Sequence, residues 1–155
     1  MDLSVIIVSY NTCQLLDDCL ASIQAAEPPP GGREVIVVDN ASHDGSTAMV
    51  ADKYPDVRLL AMSDNLGFSA ANNRGSAVAR GDFLLFLNSD TRVGSQSLAE
   101  PLAYMRNHPD VGALTVRLVY PNGERDPDNH RGFHTVECRL PFQRLEQVVS
   151  GQAGV

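Results

Sequence analysis

Three short polar runs, each closing an apolar stretch, carry the side chains best suited to chemistry: Ser9-Tyr10-Asn11, Asp39-Asn40-Ala41-Ser42 and Asn88-Ser89-Asp90. Together they offer an aromatic ring, a carboxylate at a strand edge, and a second carboxylate beside an amide and a hydroxyl. Those groups suit a nucleoside diphosphate. The ring flanks the base, a carboxylate holds base or ribose, and oxygen ligands meet a hard cation bridging two phosphates. Asp90 is the candidate ligand for such a cation, Mg²⁺ or Mn²⁺, which would neutralise charge as the diphosphate leaves. Taken singly, each residue has a plainer use. Strand-end Asp and Asn cap helices or satisfy loop amides as readily as they bind ligands, and Tyr10 alone reads as a core-edge aromatic. The functional reading rests on all three runs standing in order, with a fourth between them.

That fourth run extends from Asn65-Leu66-Gly67-Phe68-Ser69 through Ala70-Ala71-Asn72-Asn73-Arg74-Gly75. It enters a helix through glycine and serine, with Ser69 as the expected cap. Small Ala70 and Ala71 let a backbone approach closely, which tight helix packing alone explains. Asparagine is a poor residue for mid-helix, so at least one of Asn72 and Asn73 is expected to make a specific hydrogen bond.

The elements that must position these runs alternate. Leu3 to Val8 is β-branched and nearly continuous, as in a strand buried on both faces. A helix from Thr12 to Ala26 follows, closed by Pro28-Pro29-Pro30-Gly31-Gly32. Val35 to Val38 is a second strand, and Asp44 is the expected N-cap of a helix running to Tyr54. Val57 to Met62, the helix through Ala79, and Asp82 to Leu87 continue the pattern. Ser95 is the expected cap of a helix to Asn107, and Val111 to Val119 the expected next strand. Such alternation implies an α/β fold in three layers, a mainly parallel sheet with helices on both faces. Ligands of these sheets bind outside the carboxyl ends of the strands. After Tyr120 the pattern changes: Pro121 to His134 reads as loop, Phe142 to Val149 as a short amphipathic helix, and Gly151 to Val155 as a frayed end. The expected organisation is a nucleotide-binding domain over 1–119 and an incomplete region over 120–155.

Composition bounds the partners. A length of 155 residues fits one domain, and a net charge of -7 argues against a nucleic-acid binder. Neither a phosphate-loop lysine motif nor a Gly-rich dinucleotide fingerprint is present. Cys13, Cys19 and Cys138 lack metal-ligand spacing and are expected to be reduced thiols. No signal peptide or 20-residue apolar span is visible, so the chain is expected in the cytoplasm.

The stretches Ser4 to Asn11, Glu34 to Ser46, Asn65 to Gly75 and Asn88 to Thr91, in this order and spacing, resemble the family 2 glycosyltransferases, and in particular their rhamnosyltransferase-like branch. The resemblance covers about residues 3–119. It implies a GT-A fold, an inverting mechanism and a nucleotide-diphosphate sugar donor, dTDP-rhamnose or a UDP-sugar, with a glycan or lipid-linked acceptor. By position it implies that Ser9, Tyr10 and Asn11 line the nucleoside pocket, that Asp39 contacts base or ribose, and that Asn72 or Asn73 faces the donor. Asn88-Ser89-Asp90 takes the place of the Asp-X-Asp metal motif, with an amide where the first carboxylate would stand, so Asp90 carries the metal. The family's catalytic base lies in a later acidic segment. Nothing after Val119 resembles it, and Asp126 and Asp128 are weak substitutes. The chain is therefore expected to be the donor-binding half, at the inner membrane face in a full-length enzyme, with self-association through the face left open. A non-catalytic nucleotide-sugar-binding or interaction module is the alternative.

Overall fold

The computed structural model describes residues 1–116, 118–120 and 122–124. Asp126, Asp128, Cys138 and the expected helix over 142–149 lie outside them. The chain divides into two compact units, Met1–Leu102 and Ala103–Val155. The first holds a four-stranded sheet built from β1 (Leu3–Ser9), β2 (Arg33–Asp39), β3 (Arg58–Ala61) and β4 (Phe83–Asn88). The strand order is β3-β2-β1-β4 and every pairing is parallel. The helices are α1 (Cys13–Ala25), α2 (Ser46–Lys53), α3 (Phe68–Ser76) and α4 (Ala99–Asn107).

β1 is central because its sequence can be buried on both faces. Leu3, Val5 and Ile7 pack with Leu16, Cys19, Leu20 and Ile23 of α1 and Val50 of α2. Ile6, one residue out of phase, packs on the other face with Ile36, Val38 and Ala71 of α3. This is the three-layer architecture read from the alternation, and each buried Ile, Leu or Val contributes about 1.5–3 kcal/mol. Between α1 and α2, Tyr54 Oη donates to Asp17 Oδ1 at 2.6 Å, and Lys53 pairs with the same carboxylate. Cys13 and Cys19 are free thiols, and burial, with the Asp90 charge behind it, pushes the Cys19 thiol up to about 12. No helix among the described residues is long and apolar enough to cross a membrane.

The small residues of α3 have a definite use. A Cβ on Gly75 would stand 2.5 Å from Ile6 Cγ2 and 3.3 Å from Val38 Cγ2. The helix therefore lies against the sheet at the distance its own backbone allows, which also fixes where its first turn points.

At the amino ends of the strands one carboxylate ties three elements together. Glu34 Oε1 accepts from Ser4 Oγ at 2.7 Å and from the Arg80 amide at 2.6 Å, while Oε2 takes the Arg80 guanidinium at 3.1 Å. Burial alone would raise this carboxyl, but the bonds from Ser4 and Arg80 outweigh it and hold it below its ordinary 4.5.

Several boundaries differ from those read in the sequence. Gly45, not Asp44, occupies the N-cap of α2, in the left-handed region at φ 88. Asp44 still does the capping, from one residue further out, by accepting from the Ser46 amide at 3.1 Å. Ser69 is not the cap of α3: the helix begins at Phe68 behind Gly67. Ser95 is not the cap of α4, which begins at Ala99. Pro101 explains the delay, since a proline lacking its N–H fits only the first turn. Val111 to Val119 does not form the expected strand; among the described residues it carries single bridge positions at Ala113 and Val119. An apolar alternation marks a segment that can pair, but a strand exists only where a neighbour satisfies its backbone groups.

Two measurements test this packing. Gly75→Val should lower unfolding stability by about 1–3 kcal/mol through overpacking, read from urea melts. For Glu34, a lowered carboxyl means the folded state binds fewer protons than the unfolded one. Its stabilisation is present above 4.5 and lost as pH falls through the lowered value. The stability gap between wild type and Glu34→Gln should therefore be widest near neutrality and narrow below pH 4.5.

Candidate functional site

Parallel register sets the carboxyl ends side by side. Ser9 lies opposite Asp39, and Val8 opposite Asn88. The three polar runs of the sequence thus meet at one edge of the sheet.

The turns leaving that edge are fastened to one another. Asn11 has φ 54; its amide donates to Ser42 Oγ at 2.9 Å and its Oδ1 accepts from the His43 amide at 2.8 Å. Ala41 has φ 68, a left-handed conformation uncommon outside glycine, asparagine and aspartate. Asp44 Oδ2 accepts from the Cys13 amide at 2.8 Å while its other oxygen holds Ser46, so one carboxylate serves the first turns of α1 and α2. The Ser46 hydroxyl, more than the opposing burial, together with the amides of Cys13 and Ser46, keeps Asp44 below its ordinary carboxylate range. The Asn65–Phe68 turn is fastened to β2 by an amide pair: Asn40 Nδ2 donates to Asn65 Oδ1 at 2.7 Å, and the Leu66 amide to Asn40 Oδ1 at 2.8 Å. Asn65 Oδ1 also accepts from the Gly67 amide at 2.9 Å.

These turns surround a cavity of about 460 Å³. Tyr10 and Thr12 line it from the β1–α1 turn, Leu15 from the start of α1, Asn65, Gly67 and Phe68 from the entry to α3, and Asn88, Ser89 and Asp90 from the end of β4. Val8 and Asn40 complete the lining. Tyr10 and Phe68 are 47% and 60% exposed, so two aromatic rings stand open to a flat ligand. Asp39 is buried and does not line the cavity; Oδ2 accepts from the Ser42 amide at 2.9 Å. Its Oδ1 is the one buried side-chain oxygen or nitrogen among the described residues without a partner. An unpaired buried carboxylate oxygen costs about 1–3 kcal/mol or more, so a ligand donor there would recover it.

The remaining singled-out residues lie behind the lining. Ser9 is fully buried and reaches the cavity only through Thr12, its Oγ lying 2.9 Å from Thr12 Oγ1. Asn11 is spent on fastening turns. Asn72 is buried, with Nδ2 donating to the Phe68 carbonyl at 3.0 Å, and Asn73 is exposed; neither lines the cavity. Asn72 thus makes the specific bond expected of a mid-helix asparagine. Thr12, Leu15, Asn65 and Phe68 were not singled out as site residues. Phe68 carried a signal, a large apolar side chain at a glycine-led helix start where no core face was needed.

The donor set fits a hard cation shared with a ligand. Among the described residues no group of three or more His, Cys, Asp or Glu could hold a metal. Asp90 is the carboxylate of the cavity lining, with the Asn88 amide oxygen beside it in sequence. Such a cation keeps several waters and completes its shell from phosphate oxygens, so the site fits a metal that arrives with a diphosphate.

Comparison with known proteins bears on the family and the fold. The profile described as glycosyl transferase family 2 matches residues 4–154. The chain is 31% identical over 152 residues to an N-acetylglucosaminyl-diphospho-decaprenol L-rhamnosyltransferase of Mycobacterium tuberculosis, covering 86% of this chain and 49% of that protein. It superposes on Staphylococcus aureus TarS 1–349 in complex with UDP-GlcNAc with a TM-score of 0.64 and 28% identity, covering 70% of this chain and 32% of that one. The mannosyltransferase PcManGT from Pyrobaculum calidifontis, in complex with GDP-Man and Mn²⁺, gives a TM-score of 0.60 at 28% identity, covering 66% of this chain and 32% of that one. The chain thus spans about half the length of the mycobacterial relative and about a third of the two solved chains.

The entry to α3 offers a direct test. Gly67 has φ 78 and ψ 166, a region open essentially to glycine alone. Gly67→Ala should cost about 1–3 kcal/mol in strain, measured by thermal unfolding, or displace Phe68, seen as faster amide exchange at Leu66 and Phe68.

Proposed function

This chain belongs to glycosyl transferase family 2, and from that premise we propose that it is the donor-binding part of an inverting glycosyltransferase. In this reading it moves a sugar from a nucleotide-diphosphate sugar to a glycan or lipid-linked acceptor in the cytoplasm, at the inner membrane face. The observation that carries it is a cavity at the carboxyl ends of β1 and β4, where two open aromatic rings and Asn88-Ser89-Asp90 share one lining. The mycobacterial L-rhamnosyltransferase and the TarS complex with UDP-GlcNAc support dTDP-rhamnose or a UDP-sugar as donor.

The chain's own groups divide the work. Tyr10 and Phe68 flank the base, and Asp39, set behind the lining with Oδ1 unpaired, accepts from a base N–H or ribose hydroxyl that penetrates past it. Asp90 holds a divalent cation together with the diphosphate, with Asn88 as a second oxygen donor. Such a cation, when bound, would supply positive charge against the departing diphosphate. Ser89 and the turn around it orient the phosphates, and Val8 and Leu15 give the cavity an apolar wall. The acceptor hydroxyl must lose a proton as it attacks the anomeric carbon. Asp90 is committed to the cation, so the base is assigned to none of the cavity residues.

Calorimetric titration with UDP, dTDP and GDP, with and without Mn²⁺, tests the reading. One nucleotide should bind, more tightly with the metal. Asp90→Ala should abolish the metal's effect, and Asp39→Ala should weaken binding by roughly tenfold or more, since it removes a hydrogen bond to a charged group. Unchanged affinity in both variants would overturn the site assignment. A folded wild-type chain that binds none of the three would favour the interaction module instead.

A further inference from the structure

Thr12 sits at the N-cap of α1, where a threonine hydroxyl ordinarily accepts from the second or third amide of the helix. Here it makes no such bond. The first amide of the helix, that of Cys13, is taken instead by Asp44 Oδ2 at 2.8 Å. The Thr12 hydroxyl turns the other way, donating to Ser89 Oγ at 3.0 Å across 77 positions of sequence. It also lies 2.9 Å from Ser9 Oγ. A hydroxyl has one proton to give. Since Thr12 gives its proton to Ser89, it accepts from Ser9, and the three hydroxyls form a one-way chain Ser9→Thr12→Ser89. Ser89 then has its own proton left. It is 8% exposed, lines the cavity between Asn88 and Asp90, and donates that proton to no protein group among the described residues.

From this arrangement we infer that Thr12 is a positioning residue, whose hydroxyl directs the Ser89 O–H into the cavity as a donor to a phosphate oxygen of the nucleotide. This deepens the donor-site reading above and rests on it. Three aligned hydroxyls polarise one another, so the terminal donor is stronger than an isolated serine. The direction matters as much as the strength. A Ser89 hydroxyl without Thr12 would be free to rotate toward protein acceptors, and the phosphate would lose its donor. The chain also ties the end of β4 to the end of β1, so the turn carrying Asp90 is set by the same bonds.

The test is the affinity of the purified chain for UDP, dTDP or GDP with Mn²⁺, whichever binds, in wild type, Thr12→Val, Thr12→Ser, Ser89→Ala and the Thr12→Val/Ser89→Ala pair. Valine keeps the branched shape and removes the hydroxyl without removing a cap. Thr12→Val and Ser89→Ala should each weaken binding by about tenfold, and the pair should be no weaker than Ser89→Ala alone. A merely structural effect would instead add in the double variant. Thr12→Ser keeps the hydroxyl and should bind as wild type does, which also holds if valine proves poorly folded. Additive losses, or an unaffected Thr12→Val, would overturn the relay while leaving the donor site in place. A wild-type chain that binds none of the three nucleotides would overturn the donor site and the relay together.

Discussion

β1 is hydrogen-bonded on both sides, to β2 in register from Leu3 with Arg33 to Ser9 with Asp39, and to β4 from Leu3 with Phe83 to Val8 with Asn88. A slip of one residue in either ladder would turn every inward side chain to the opposite face. The slip is resisted from both faces at once, since Val5 and Ile7 pack under α1 while Ile6 packs under α3. The same register sets Asp39 opposite Ser9 and Asn88 opposite Val8, so the three polar runs start within about two residues of one another. Core packing at the middle of the strands thus decides what meets at their ends.

Above the sheet the order is kept by short polar bonds. Asp44 serves two helix starts, Asn11 fastens the first turn to the second, and the Asn40–Asn65 amide pair fastens the entry of α3 to β2. Each such bond contributes only about 0.5–1.5 kcal/mol net, yet each closes a turn whose ends the sheet already holds. Ala41 and Asn11 accept left-handed backbone in these turns, a cost of order 1–3 kcal/mol each. This backbone strain stands beside the unpaired Asp39 oxygen, and neither feature helps the chain to fold.

Much of this was legible in advance. Parallel strands buried on both faces read as continuous apolar runs, so Leu3–Val8 and Val35–Val38 announced themselves, and the polar runs ending them marked the edge where the cavity lies. Helix starts were less legible, because a cap is a geometric role that a neighbour can assume. Asp44 caps from outside Gly45, Ser69 yields to Gly67, and Pro101 delays α4. Among the described residues of Val111–Val119 only single bridge positions form, for a related reason: an alternation states a capacity to pair, and pairing needs a second strand.

Within the site, residue types by themselves determined the chemistry on offer. Carboxylate, amide, hydroxyl and aromatic groups at strand ends suit a nucleoside diphosphate and a hard cation wherever the side chains finally point. Only the tertiary structure decided which of them face the cavity. Ser9 and Asn72 turn inward to protein partners, while Thr12, just after the first marked run, and Asn65 and Phe68, at the start of the fourth, line the cavity. A side chain at a turn can serve protein or ligand, and sequence spacing carries no sign for the choice. That choice is set by the donors and acceptors within reach, and the acceptor that takes the Thr12 proton belongs to a residue 77 positions away.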